Sequence, residues 1–181
     1  MTKIPSWLLI IIPGVLAVLS GAAISAQDKY TVQVPNGLAF SEFRGYEDWQ
    51  TVAVSQTEAA INVILANPVM IDAYQAGVPG NGKPFPDGSK IMKILWTPKQ
   101  HAEAPFAVQV PDTLASIGCM VKDSKRFPDT GGWGYAQFDY DSASDTFAPN
   151  TSLQANDAKC GASCHELAKA SDYVFTAYGK R

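Results

Sequence analysis

The extended segments of this chain arrive in succession, and that ordering constrains its fold more than any other feature. Runs rich in β-forming residues occupy Thr51 to Gln56, Asn62 to Leu65, Ser89 to Trp96, Leu114 to Lys122 and Trp133 to Tyr140. A parallel sheet requires a long crossover between neighbouring strands, so its sequences alternate strand with helix in a regular way. That alternation is missing. The last two runs are separated by a polar turn containing Asp123 and Gly131-Gly132, which suits an antiparallel pair. The fold class expected is α+β, a mainly antiparallel β-sheet with flanking helices.

Local signals place those helices. Ser41 to Trp49 reads as helical or turn-like, and Asn67-Pro68 opens a short helix over Val69 to Gln75. Asn accepts a hydrogen bond from an otherwise unpaired backbone N–H, and proline suits the first turn. Gly77 to Gly88, with four glycines and three prolines, reads as a loop. Gln27 to Gly37 is short, polar and proline-containing, a lead-in to the domain. After His165 the chain is helical at first, then offers Tyr173, Val174, Phe175 and Tyr178 as an apolar anchor.

The first 26 residues have a different character. Lys3 is their only charge, Trp7 to Leu19 is almost wholly apolar, and small residues run from Ser20 to Ala26. A spanning helix needs about 20 apolar residues, whereas Pro13 and Gly14 interrupt a shorter run here. Residues 1–26 are therefore read as a signal peptide cleaved near Ser25 or Ala26, retention as an N-terminal anchor being the alternative. Residues 27–181 then form a single domain in the periplasm. Without Lys3 the net charge moves from −3 to −4, which excludes a basic nucleic-acid surface or a polybasic membrane patch.

Export favours disulfides, yet there are three cysteines, Cys119, Cys160 and Cys164. Cys119 sits in an apolar run and reads as an inert buried thiol. Cys160-Gly161-Ala162-Ser163-Cys164-His165 carries the chemistry. Attachment of haem c uses two thiols for the porphyrin vinyl groups and an adjacent imidazole for the iron. Cys164-His165 keeps the fixed half of that pattern, whereas three residues rather than the common two separate the thiols. A Cys160–Cys164 disulfide and a zinc site are competing readings, the second short of ligands because His101 and His165 are the only histidines. His101 reads as an exposed residue of the polar loop Thr97 to His101, and Met70, Met92 and Met120 read as core. No second axial ligand stands out, so an open iron position is expected, suited to binding or transforming a small molecule.

With these residues in view, the chain resembles the cytochrome P-460 family. Three blocks in order carry the resemblance: Phe85-Pro86-Asp87-Gly88-Ser89 leading to Lys93; Val121 to Phe127 with Trp133-Gly134-Tyr135-Ala136; and Cys164-His165 followed by Ser171-Asp172-Tyr173-Val174-Phe175-Thr176. The resemblance implies a homodimer with one covalent haem c, held by Cys160 and Cys164, ligated by His165 and cross-linked to Lys93. It also implies hydroxylamine oxidation, with nitric oxide as a partner and nitrous oxide as a product. The electron acceptor would be a small periplasmic cytochrome c. Alternation along the strand puts Lys93 with Ile91 and Leu95, so it either snorkels outward or is partly desolvated and nucleophilic. Thr151 to Lys159 resembles the segment that supplies a distal residue, and Asp157 is the candidate base, with Asn156 beside it. Val63-Ile64-Leu65 stands where some members carry a basic side chain. An apolar distal pocket implies instead the related cytochrome c-prime-beta branch, which binds nitric oxide without oxidising hydroxylamine.

Overall fold

The computed structural model describes residues 26–150 and 161–180. Six strands, β1 (Gln50–Gln56), β2 (Ile61–Ala66), β3 (Lys90–Gln100), β4 (Gln109–Lys122), β5 (Trp133–Asp141) and β6 (Thr146–Pro149), form one sheet in chain order. Every neighbouring pair is antiparallel. The α+β class, with its antiparallel sheet and short flanking helices, is thus the observed architecture. The third and fourth strands run longer than their sequences suggest. Thr97 to Gln100, expected as loop, pairs with the start of β4 as Pro98 opposite Pro111 and Lys99 opposite Val110. His101 does lie in the exposed loop beyond them.

Helix α1 (Pro68–Gln75) starts as its cap predicts: the Asn67 side chain accepts the Met70 N–H. The same oxygen accepts the Lys90 N–H at 2.9 Å, and the amide nitrogen donates to the Gly88 carbonyl at 2.8 Å. Asn67 therefore ties the helix start to the first residue of β3. Asn67→Ala is expected to cost about 2 kcal/mol, because a cap and two half-buried hydrogen bonds are lost together; urea unfolding measures it. The far end of the chain carries α2 (Ala162–His165), followed by a 3-10 turn over Glu166–Ser171.

The sheet separates two apolar clusters. On one face Leu65, Met92, Ile117, Val121 and Phe138 pack against Val32, Val34, Leu38, Phe40 and Phe43. The supposed lead-in is thus a structural cover: Val34 is fully buried, and a bridge pairs Gln33 with Ala39. Pro35-Asn36-Gly37 breaks the alternation of Val32 and Val34 with Leu38, which is why the segment passes as polar. On the other face Ile64, Ala66, Ile91, Met120, Trp133 and Tyr135 pack against α1, Phe85 and Val174. Trp133 is a core residue, whereas Trp49 is half-buried at the edge of the first cluster. Residues 1–25 lie outside the described part, including the expected signal segment up to Ser25.

Candidate functional site

On the second face the covering elements stop short, leaving a cavity of about 490 Å³. Its volume falls within the range of ~300–1,000 Å³ that holds small-molecule and cofactor ligands. The strand register builds its floor. Ile64 pairs with Lys93, Lys93 with Gly118 and Gly118 with Gln137, a transverse row across four strands on one face. A Cβ on Gly118 would lie 3.8 Å from the Lys93 Cβ, so the absence of a side chain there widens the floor beside the lysine. The roof comes from the C-terminal segment: Gly161, Cys164, His165, Val174, Phe175 and Thr176.

His165 is the best-positioned polar group. Its Nδ1 lies 2.6 Å from the Tyr173 carbonyl oxygen, which can only accept, so Nδ1 carries the proton and Nε2 keeps its lone pair. The ring packs against Tyr135 at 4.9 Å and Phe175 at 5.0 Å between centroids. Burial holds its pKa below the usual histidine value, the Tyr173 hydrogen bond opposes this, and the positive charge of Lys93 adds to the lowering. The outcome is a neutral imidazole, the form that ligates metals. Cys164, one residue earlier, is an exposed thiol.

Lys93 and His165 line the same cavity, and the lysine's charge acts on the imidazole. Lys93 shares its face with Ile91 and Leu95 as alternation predicts, and its side chain is exposed at the cavity instead of desolvated within the sheet. Of the two alternatives for Lys93 on this apolar strand, outward reach or partial desolvation, the open cavity leaves the first. Of the apolar run on β2, only Ile64 reaches the cavity, because Val63 and Leu65 point to the first cluster. Met70 and Met92 are core side chains; Met92 accepts a hydrogen bond from the reduced thiol of Cys119, with sulfurs 3.2 Å apart. Met120 packs in the second cluster and borders the cavity floor. Asn156, Asp157 and Cys160 lie outside the described residues.

Sequence reasoning missed two parts that hold His165 in place, the Tyr173 carbonyl and the ring of Tyr135, and also polar groups at the far end of the floor. There Asn62, 6% exposed, donates to Ser55, which lines the cavity. Tyr135 and Tyr173 were visible as aromatic members of familiar blocks, but a carbonyl direction leaves no trace in a sequence.

The donor set fits a c-type haem on three counts: a neutral imidazole with a free Nε2, an adjacent accessible thiol, and a large, mainly apolar cavity widened at Gly118. Among the described residues no group of three or more metal-ligating side chains gathers. A family model described as cytochrome P460 matches residues 43–176. No curated protein matches the chain.

Proposed function

The chain belongs to the cytochrome P460 family and is accordingly a haem protein, and from that premise we propose that it is an exported oxidoreductase acting on hydroxylamine. The observation that carries this reading is the joint placement of His165 and Lys93 on one cavity. Bound there, the haem would supply an iron centre able to take electrons from hydroxylamine and to hold nitric oxide.

In this reading His165 Nε2 would hold the iron, with Cys164 and Cys160 as tethers. Lys93 rises from the floor and would supply the amine for a covalent bond that replaces a porphyrin C–H, the two electrons and two protons released passing to an oxidant of the peroxide class, which leaves as water. The free-amine form is the nucleophile, and the exposed position leaves it accessible to a porphyrin edge. Oxidation of hydroxylamine releases protons, and a base within hydrogen-bond reach must take them; Asp157 is assigned that role from the sequence. Periplasmic location, a small cytochrome c as electron acceptor and assembly as a homodimer complete the proposal.

Two measurements test it. Peptide mass analysis of the haem-loaded protein is expected to find porphyrin on both the Cys160/Cys164 peptide and the Lys93 peptide. Lys93→Leu is expected to lower hydroxylamine oxidation with an artificial acceptor by about 100-fold, the upper range for losing a group that tunes a metal site. A wild-type protein that consumes no hydroxylamine would sink the enzyme reading.

One observation favours a second reading, nitric oxide binding of the cytochrome c-prime-beta kind. Ile64, Ile91, Leu95, Met120, Val174 and Phe175 give the cavity an apolar wall, and no Asp or Glu among the described residues lines it. An apolar site suits an uncharged diatomic gas better than proton transfer. Porphyrin found on the cysteine peptide alone, with tight nitric oxide uptake by the ferrous protein and no turnover, would select this reading.

A further inference from the structure

Beneath the C-terminal segment, away from the cavity lining, lies a buried ion pair that neither reading uses. The Lys122 ammonium is 2.8 and 3.0 Å from the two Asp172 carboxylate oxygens and 2.8 Å from the Gly131 carbonyl. Its side chain is 5% exposed and that of Asp172 is 11% exposed. Asp172 also accepts the Phe85 backbone N–H at 2.8 Å. The ion pair thus ties together β4, the turn before β5, the proline-rich loop before β3 and the C-terminal segment.

What it restrains is the backbone that meets His165. Asp172 and Tyr173 both have left-handed conformations, with φ of 49° and 65°. Side chains other than glycine visit that region at a cost, and two in a row persist only where the surroundings hold them. The Tyr173 ring supplies a second hold: a Cβ on Gly131 would sit 2.2 Å from it, so the ring lies directly over the residue whose carbonyl Lys122 also binds. Between them, these contacts aim the Tyr173 carbonyl at His165 Nδ1.

We propose that the Lys122–Asp172 pair positions His165: by fixing the left-handed Asp172-Tyr173 turn it sets the hydrogen bond to Nδ1, and through it the orientation and donor strength of the ligand. An Nδ1–H donated to a carbonyl makes the opposite nitrogen a stronger donor and locks the ring. Lys122 and Asp172 are positioning residues, since neither touches the cavity. The inference rests on the reading of His165 as the axial ligand.

The test uses haem-loaded protein and two variants. Lys122→Met removes the ammonium, and the double variant Lys122→Met/Asp172→Gly removes both charges while glycine accepts the left-handed conformation, so no unpaired buried charge threatens folding. In both, the ferrous iron–histidine stretching band in resonance Raman spectra is expected to move to lower wavenumber, and the haem reduction potential to rise, with far-UV circular dichroism unchanged. Folded variants with the wild-type band and potential would overturn the proposal and reduce the pair to a structural brace. His165→Ala separates this from failure of the ligand reading. If that variant keeps the iron–histidine band, another residue is the ligand and the reading itself has failed; if it loses the band, an unchanged Lys122→Met spectrum counts against the positioning role alone.

Discussion

His165→Ala is expected to leave a folded chain without the proposed iron ligand, and the proposed hydroxylamine oxidation to fall by at least ~100-fold. Changes one shell further out already cost metal sites about 10–100-fold, so removal of the donor atom itself sets a lower bound at the top of that range. Folding should survive because the imidazole is half-buried at a cavity wall, with few neighbours that depend on it. What it abandons is the Tyr173 carbonyl, which gains access to water through the vacated space. Haem tethered through Cys164 would remain on the chain, so loss of the ligand and loss of the cofactor can be told apart by spectrum and mass. Added imidazole should restore the ligand in part, since the truncated side chain leaves a gap of its own shape between Tyr135 and Phe175. A variant with the wild-type ferrous spectrum would show that His165 does not bind the iron.

Much of this geometry could be read from local signals. Asn67-Pro68 states a helix start, and alternation on β3 assigns Lys93 to the face of Ile91 and Leu95, which is the cavity face. Cys164-His165 marks the one stretch where a thiol and an imidazole stand together. The unread parts share a cause. Lys122 and Asp172 are fifty residues apart, and each is an ordinary charged residue until the fold joins them. Gln27 to Gly37 reads as a polar lead-in because Pro35-Asn36-Gly37 interrupts the alternation of Val32 and Val34 with Leu38 and Phe40, leaving each apolar pair too short to stand out as a strand. Leu65 and Val63 read with Ile64 as one apolar wall, yet a strand sends neighbours to opposite faces, and only Ile64 serves the cavity. Strand β6 is four residues long, with Phe147 its only strongly β-forming aromatic, so the sequence hides it.

The sheet's two faces divide the labour, and Phe138→Ala tests that division. Phe138 is fully buried on the covered face, its ring 5.0 Å from that of Phe40. Removing a buried phenyl loses transfer free energy and opens a cavity, a cost of about 3–5 kcal/mol. Against a total of ~5–15 kcal/mol for a domain, that is a large fraction of what holds the native state. The midpoint of urea unfolding should fall accordingly, with little change in its slope. The cavity, however, lies across the sheet, and the same strand reaches it through Tyr135, Ala136 and Gln137, not through Phe138. The surviving folded protein should therefore keep the wild-type iron–histidine band and, under native conditions, wild-type turnover per folded molecule. A spectrum that changed in step with stability would mean that the two faces are mechanically coupled through the strands, so that the N-terminal cover tunes the site it never touches.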